Sequence, residues 1–373
     1  MDLQSPKVRT MVEVATTLTL ALLLTLTSVL TAFAQSAEPA FFGVNLEPPV
    51  GRVLNGWGQF SSEWALGAKD GEGDAADLAS YERAMSPNLP ALLSFYTALD
   101  QKVMPQFVER YKSLVVKRGF FVSEVGINFQ TAQRDTSIGM RDPEIVMLMD
   151  TLRETHNPAL LRIGYEFNNP WATYDPSLYI QAFRKVIDRL REAQLDNVAT
   201  VWNATAAGFD GPSALRWYPG DDVVDWWGVN LFDLKDFDRP QLREFLDAAR
   251  RHRKPVIICE ASPVFQSGKP GQVRGPKSDA EAVAWFEKLA GLINDHQEIQ
   301  AVALISVDWR RIASILPGSG WPDARIQRWP KAAALWKKTL SKKRFINASE
   351  VQTIYLLQGP GRNRANALRP SNR

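Results

Sequence analysis

The sequence predicts a (β/α)8 barrel, and three observations predict it. Short apolar runs alternate with helical patterns along the chain, the signature of repeated βαβ units. Strand ends fall near Asn45, Phe95, Asn128, Tyr165, Trp202, Asn230, Cys259 and Val307, eight in all, at spacings of roughly 30 to 50 residues. Two of these runs end in a glutamate, and a closed barrel gathers the C-terminal ends of its strands on one face. A doubly wound open sheet is the alternative, but it suits the two glutamates less well.

Taken in chain order, the first element is a targeting segment. Lys7 and Arg9 precede an apolar stretch from Leu18 to Phe33, and Ala32-Phe33-Ala34 fits a small-x-small cleavage site. Residues 1–34 therefore read as a signal peptide, which places the rest of the chain in a secreted or periplasmic setting. The rival reading is an uncleaved membrane anchor. Residues 40–340 form the barrel domain, with no internal linker or repeat. The fourth strand runs Leu160-Leu161-Arg162-Ile163-Gly164-Tyr165-Glu166. After it comes the clearest helix: Asp175-Pro176 supplies an N-cap and a first-turn proline, and Tyr179, Ala182, Phe183, Val186, Ile187 and Leu190 recur at helical spacing. Arg184, Lys185, Asp188, Arg191 and Glu192 form its opposite, solvated face. The seventh strand runs Pro255-Val256-Ile257-Ile258-Cys259-Glu260. Residues 341–373 read as a basic C-terminal tail, disordered from Gly359 onward, where four arginines stand among Gly, Pro, Asn and Ser with no acid.

Composition narrows the function. The 44 basic and 41 acidic residues leave a net charge of only +3, so no strong field points to nucleic acid. The single cysteine, Cys259, reads as a small buried residue of the seventh strand. His156, His252 and His296 lack metal-ligand spacing. Ser267-Gly268-Lys269-Pro270 lacks the upstream glycine of a phosphate loop and reads as a turn. No serine-hydrolase elbow or dinucleotide fingerprint is present. What remains is chemistry without a cofactor or metal.

Glu166 and Glu260 supply that chemistry. A carboxylate at the end of a buried strand is costly to desolvate unless its charge is used or compensated. Two of them on different strands suit glycoside hydrolysis, one as acid/base and the other as nucleophile or water-activating base. For either glutamate alone, an ion pair with a barrel arginine is the plainer explanation.

The motifs Arg162…Tyr165-Glu166-Phe167-Asn168…Trp171, Val201-Trp202-Asn203, Tyr218-Pro219-Gly220-Asp221, Val224-Asp225-Trp226-Trp227-Gly228-Val229-Asn230 and Lys254-Pro255-Val256…Glu260 resemble glycoside hydrolase family 26. The resemblance implies a retaining endo-β-glycanase acting on β-mannan, β-glucan or xylan. It makes Glu166, at the end of strand four, the acid/base and Glu260, at the end of strand seven, the nucleophile. Apolar neighbours of Glu166 and the Glu260 charge are expected to raise the pKa of Glu166, while Arg162 keeps Glu260 ionised. Two positions depart from the family. Tyr165 stands where histidine is usual, and Asn230 and Phe232 replace an aspartate and a tyrosine that bonds the nucleophile. Neither removes a carboxylate, and both bear on substrate preference.

The aromatic residues fit a sugar cleft, since sugar CH faces stack on indole while hydroxyls need polar partners. Of twelve tryptophans, Trp171, Trp202 and Trp309 fall at or just past strand ends, with Trp309 the first choice as a platform. Trp57 and Trp321 fall in Gly-rich stretches taken as loops, and Trp285 and Trp336 read as core. Asn168 and Asn203 are candidate hydroxyl partners, and Arg162, Tyr165, Tyr218, Asn230 and Phe232 complete the expected substrate-contacting set. The expected partner is a β-linked polysaccharide bound by a monomer, with membrane contact only if the N-terminal segment is uncleaved. The competing reading is a glycan-binding or polysaccharide-assembly protein on a glycosidase scaffold.

Overall fold

The computed structural model describes residues 46–61, 71–170, 174–268, 272–312 and 320–358. The proposed signal peptide, the stretch from Gly359 onward and Trp171 lie outside them. Eight parallel strands close on themselves: β1 Val53–Ser61, β2 Leu92–Ala98, β3 Val122–Asn128, β4 Ala159–Ile163, β5 Val198–Thr205, β6 Trp226–Leu231, β7 Val256–Ala261 and β8 Ile299–Ile305. Closure is the parallel pairing of β1 with β8, from Leu54 opposite Ala301 to Gly58 opposite Ile305. The fold is therefore the expected (β/α)8 barrel.

Helices α1 Gly71–Met85, α2 Val103–Arg118, α3 Asp142–Thr155, α4 Pro176–Glu192, α5 Pro240–Arg251, α6 Asp279–Asp295 and α7 Pro330–Leu340 cover the sheet. The link from β5 to β6 carries 3-10 turns at Ala206–Gly208 and Ala214–Trp217 instead. Helix α4 shows how the sequence dictates its element. Asp175 accepts a hydrogen bond from Leu178 N at 2.9 Å, satisfying one orphan donor of the first turn. Tyr179, Ala182, Phe183, Val186, Ile187 and Leu190 are all buried on one face, the larger ones each worth roughly 1.5–3 kcal/mol of hydrophobic stabilisation.

Alternation along each strand separates two cores. Leu54, Leu92, Val122, Leu160, Ala199, Val201, Trp226, Ile257, Cys259, Ala301 and Ala303 fill the barrel interior. Their strand neighbours, among them Trp57, Leu93, Val125, Leu161, Trp202, Trp227 and Ile258, pack outward with the helices.

Two expectations need correction. The expected strand end at Asn45 lies outside the described residues, but among those residues the first strand is Val53–Ser61, so Trp57 lies within a strand and not in a loop. The glycines that suggested a loop serve close approach: a Cβ on Gly56 would stand 2.7 Å from Leu92 Cδ2 and 2.8 Å from the Val302 carbonyl. The domain also continues past residue 340. Phe345–Ile346 pairs in parallel with Val53 and Leu54, and α8, Ala348–Gln358, brings Val351 and Tyr355 against the interior cluster. Tyr355 OH donates to the Leu46 carbonyl at 2.9 Å. This segment covers apolar residues at the N-terminal end of the barrel, which would otherwise face water.

Candidate active site

The turn after β4 carries Glu166 over the C-terminal mouth of the barrel. Its φ is +54°, a left-handed conformation that costs a residue with a Cβ roughly 1–2 kcal/mol. Its backbone N–H donates to the Asn203 carbonyl at 2.9 Å, which holds the turn to β5. The carboxylate accepts from Asn230 Nδ2 at 2.9 Å and from Asn169 Nδ2 at 3.1 Å. Asn203 Nδ2 in turn donates to Asn230 Oδ1 at 3.0 Å. Asn203 Oδ1 is buried without a hydrogen-bond partner among the described residues.

Glu260 stands opposite Asn230 in the β6–β7 register, just past an irregularity between Val229 and Asn230. That slip lets Glu260 face the mouth although Cys259 before it already points inward. Arg162 Nη1 donates to Glu260 Oε1 at 2.9 Å. The guanidinium lies 4.7 Å from the Tyr96 ring and 4.6 Å from the Tyr165 ring, two rings set at right angles to each other beside it. Gly126 makes room for it, because a Cβ there would stand 2.9 Å from Arg162 Nη2.

Burial pushes the Glu260 carboxyl up to about 7, with Arg162 opposing and Glu166 and Glu124 adding to the rise. The expectation that Arg162 holds this group firmly ionised is therefore only partly met. Desolvation outweighs a single guanidinium that is shared.

Glu124 on β3 was not foreseen. It is fully buried, accepts from Ser94 Oγ, and its Oε1 lies 3.4 Å from Arg162 Nε. A glutamate in the middle of the apolar run Val122-Ser123-Glu124-Val125 carries the same signal that marks Glu166 and Glu260.

Of the predicted residues, Glu166, Glu260, Arg162, Tyr165, Asn203 and Asn230 come together at the mouth. Others do not. Trp202 points outward, stacked 4.7 Å from Phe167 and 5.9 Å from Phe245, because Val201 and Asn203 take the inward positions of β5. Both ends of the Asn168 amide bind the backbone of Thr205, at 3.0 and 2.8 Å, so this side chain ties two segments together. Tyr218 precedes β6 and therefore lies toward the N-terminal end of the barrel. Its hydroxyl donates to Asp221, and its ring lies 5.4 Å from His252, just before β7. Phe232 is at the correct end, with its ring 5.9 Å from Trp321. Trp309 is only 3% exposed and lies 4.7 Å from Trp321. Trp321 is the partly exposed ring of the pair.

Comparison with known proteins agrees with this arrangement. Residues 127–267, from the end of β3 to just past Glu260, match the model of glycosyl hydrolase family 26. The chain is 33% identical over 242 residues to a beta-1,3-xylanase of Vibrio sp, across 61% of this chain and 53% of that protein. It is 32% identical over 241 residues to a beta-1,3-xylanase of Alcaligenes sp, across 60% and 51%. The matches thus span about half the length of those relatives. Among solved structures, GH26C from Muricauda sp. superposes with a TM-score of 0.57 at 14% identity, covering 86% of this chain and 97% of that one. A GH26 beta-mannanase from Bacteroides ovatus gives 0.54 at 15% identity, covering 82% and 93%. These structural likenesses show the barrel; the family match spans the two glutamate-bearing strands. Residues 127–267, the segment that carries both glutamates, are what the chain shares with glycosyl hydrolase family 26.

Proposed function

We propose that this protein is a retaining endo-β-glycanase in which Glu260 is the nucleophile and Glu166 the acid/base. The observation that carries the reading is their linkage: Asn230 donates to Glu166 from the strand position paired with Glu260. Retaining enzymes hold such a pair about 5–5.5 Å apart. In the first step the Glu260 carboxylate attacks the anomeric carbon. The glycosidic C–O bond breaks as Glu166 gives its proton to the leaving oxygen. In the second, Glu166 takes a proton from water, which attacks the glycosyl carbon and releases Glu260.

The two relatives named as beta-1,3-xylanases support β-1,3-xylan as the substrate, ahead of mannan or glucan. We infer action outside the cytoplasm from the signal-peptide reading of residues 1–34. Hydrolysis of β-1,3-xylan, β-mannan, glucomannan, mixed-linkage glucan and β-1,4-xylan by the wild type, Glu166→Ala and Glu260→Ala tests the reading. Cleavage of β-1,3-xylan that falls by about 10³-fold or more in both variants is expected. Undiminished cleavage in either variant, or binding without cleavage by the wild type, refutes it.

A further inference from the structure

The barrel interior beneath Glu260 holds a third carboxylate that the hydrolytic reading leaves unused. Glu124, Arg162 and Ser94 are fully buried. Ser94 Oγ donates to Glu124 Oε2. Arg162 Nε stands 3.4 Å from Glu124 Oε1, while Nη1 of the same guanidinium is 2.9 Å from Glu260 Oε1. The Tyr96 and Tyr165 rings lie against the guanidinium, and the close packing at Gly126 leaves it little room to turn toward either acid. Two buried carboxylates thus face one buried cation. Desolvation favours a cluster without net charge, and that condition is met when one proton resides on Glu124 or Glu260.

We propose that Glu124 is a positioning residue that competes with Glu260 for Arg162, so that the charge on Glu124 governs how much of Glu260 stands ready as a carboxylate. The proposal rests on reading Glu260 as the nucleophile. The titratable groups facing Glu260 are Arg162 on β4, Glu166 after it, Glu124 on β3, Tyr96 on β2 and Cys259 before it on β7. Burial pushes both Glu124 and Glu260 upward, and Arg162 opposes it in both, as expected of two acids sharing one counter-charge. Neutralising Glu124 removes a repulsion and gives Glu260 the whole of Arg162. Glu260 then loses its proton at lower pH.

The test is a 13C NMR titration of the glutamate carboxyls in the full chain, with the Glu260 signal identified by its loss in Glu260→Gln. In Glu124→Gln the Glu260 midpoint is expected to fall by about one pH unit, and the acid limb of kcat/KM on β-1,3-xylan to move with it. An unmoved or raised midpoint in the folded variant overturns the proposal. If Glu124→Gln does not fold, Ser94→Ala serves. Without the hydroxyl donor Glu124 holds its proton more tightly, so the Glu260 midpoint falls by a smaller amount, and no fall overturns the proposal. Because the titration needs no turnover, the two readings separate. A shifted midpoint in an inactive protein refutes hydrolysis alone, and an active enzyme with an unmoved midpoint refutes the competition alone.

Discussion

Asn230 Nδ2 donates to Glu166 Oε1 at 2.9 Å while its own strand position is paired with Glu260. One amide therefore orients the carboxylate on one side of the mouth from the strand beside the other. Its orientation is set from behind, because Asn203 occupies its Oδ1.

Asn230→Ala should leave the barrel folded and lower kcat by about 10- to 100-fold, since a hydrogen bond to a charged group is worth roughly 1.5–3 kcal/mol. Asn230→Asp should shift the pH dependence of kcat, because it sets a second carboxyl beside that of Glu166. Steady-state kinetics on β-1,3-xylan with melting curves of each variant checks both; a kcat within twofold of wild type in Asn230→Ala would remove Asn230 from the site.

Glu260 sets the pH response. With its carboxyl pushed up to about 7, the ionised nucleophile disappears as pH falls, so kcat/KM should drop on the acid side of a limb near 7. Stability runs the other way. Below the ordinary carboxylate range Glu260 is protonated in folded and unfolded chains alike, and nothing is lost. As pH rises from there through about 7, the unfolded chain ionises first and the folded state is progressively disfavoured, by on the order of 3 kcal/mol once the limb is passed. Urea unfolding between pH 5 and 8 should show this slope in the wild type and a flatter one in Glu260→Gln.

Trp321 and Trp309 should separate by phenotype. Trp321 is the partly exposed ring over the buried Trp309. Trp321→Ala is expected to raise KM several-fold with little change in melting temperature. Trp309→Ala removes a buried indole and should destabilise the protein by about 3–5 kcal/mol. Equal losses of stability in the two variants would contradict this division.

Deleting residues from Phe345 onward should destabilise the whole barrel. Val351 and Tyr355 pack on the interior cluster, and Phe345–Ile346 extends the sheet beside β1. The truncated chain is expected to unfold at markedly lower urea than the full chain; an unchanged midpoint would make α8 an appendage.

Most strands and helices, and the carboxylates at strand ends, were legible in the sequence; Val53–Ser61 and the elements from Phe345 onward were not. The apolar period of α4 and the runs ending at Glu166 and Glu260 depend on residues close together in the chain, and local chemistry suffices to read them. Which side chains meet is settled by the folded barrel. Trp202 and Asn203 are neighbours in sequence, yet one packs under helices and the other joins Asn230 at the mouth. Strand side chains alternate, so a shift of one residue in register exchanges the two faces. Tyr218 could be placed only by knowing which end of the barrel its loop occupies, and Trp57 only by seeing the strands that its flanking glycines admit. Glu124 is legible as a buried acid, but its rivalry with Glu260 arises because β3, β4 and β7, distant in sequence, converge on one guanidinium. Closure of the barrel brings those three charges within range of one another, and charge inside a low-dielectric core depends on its neighbours in space.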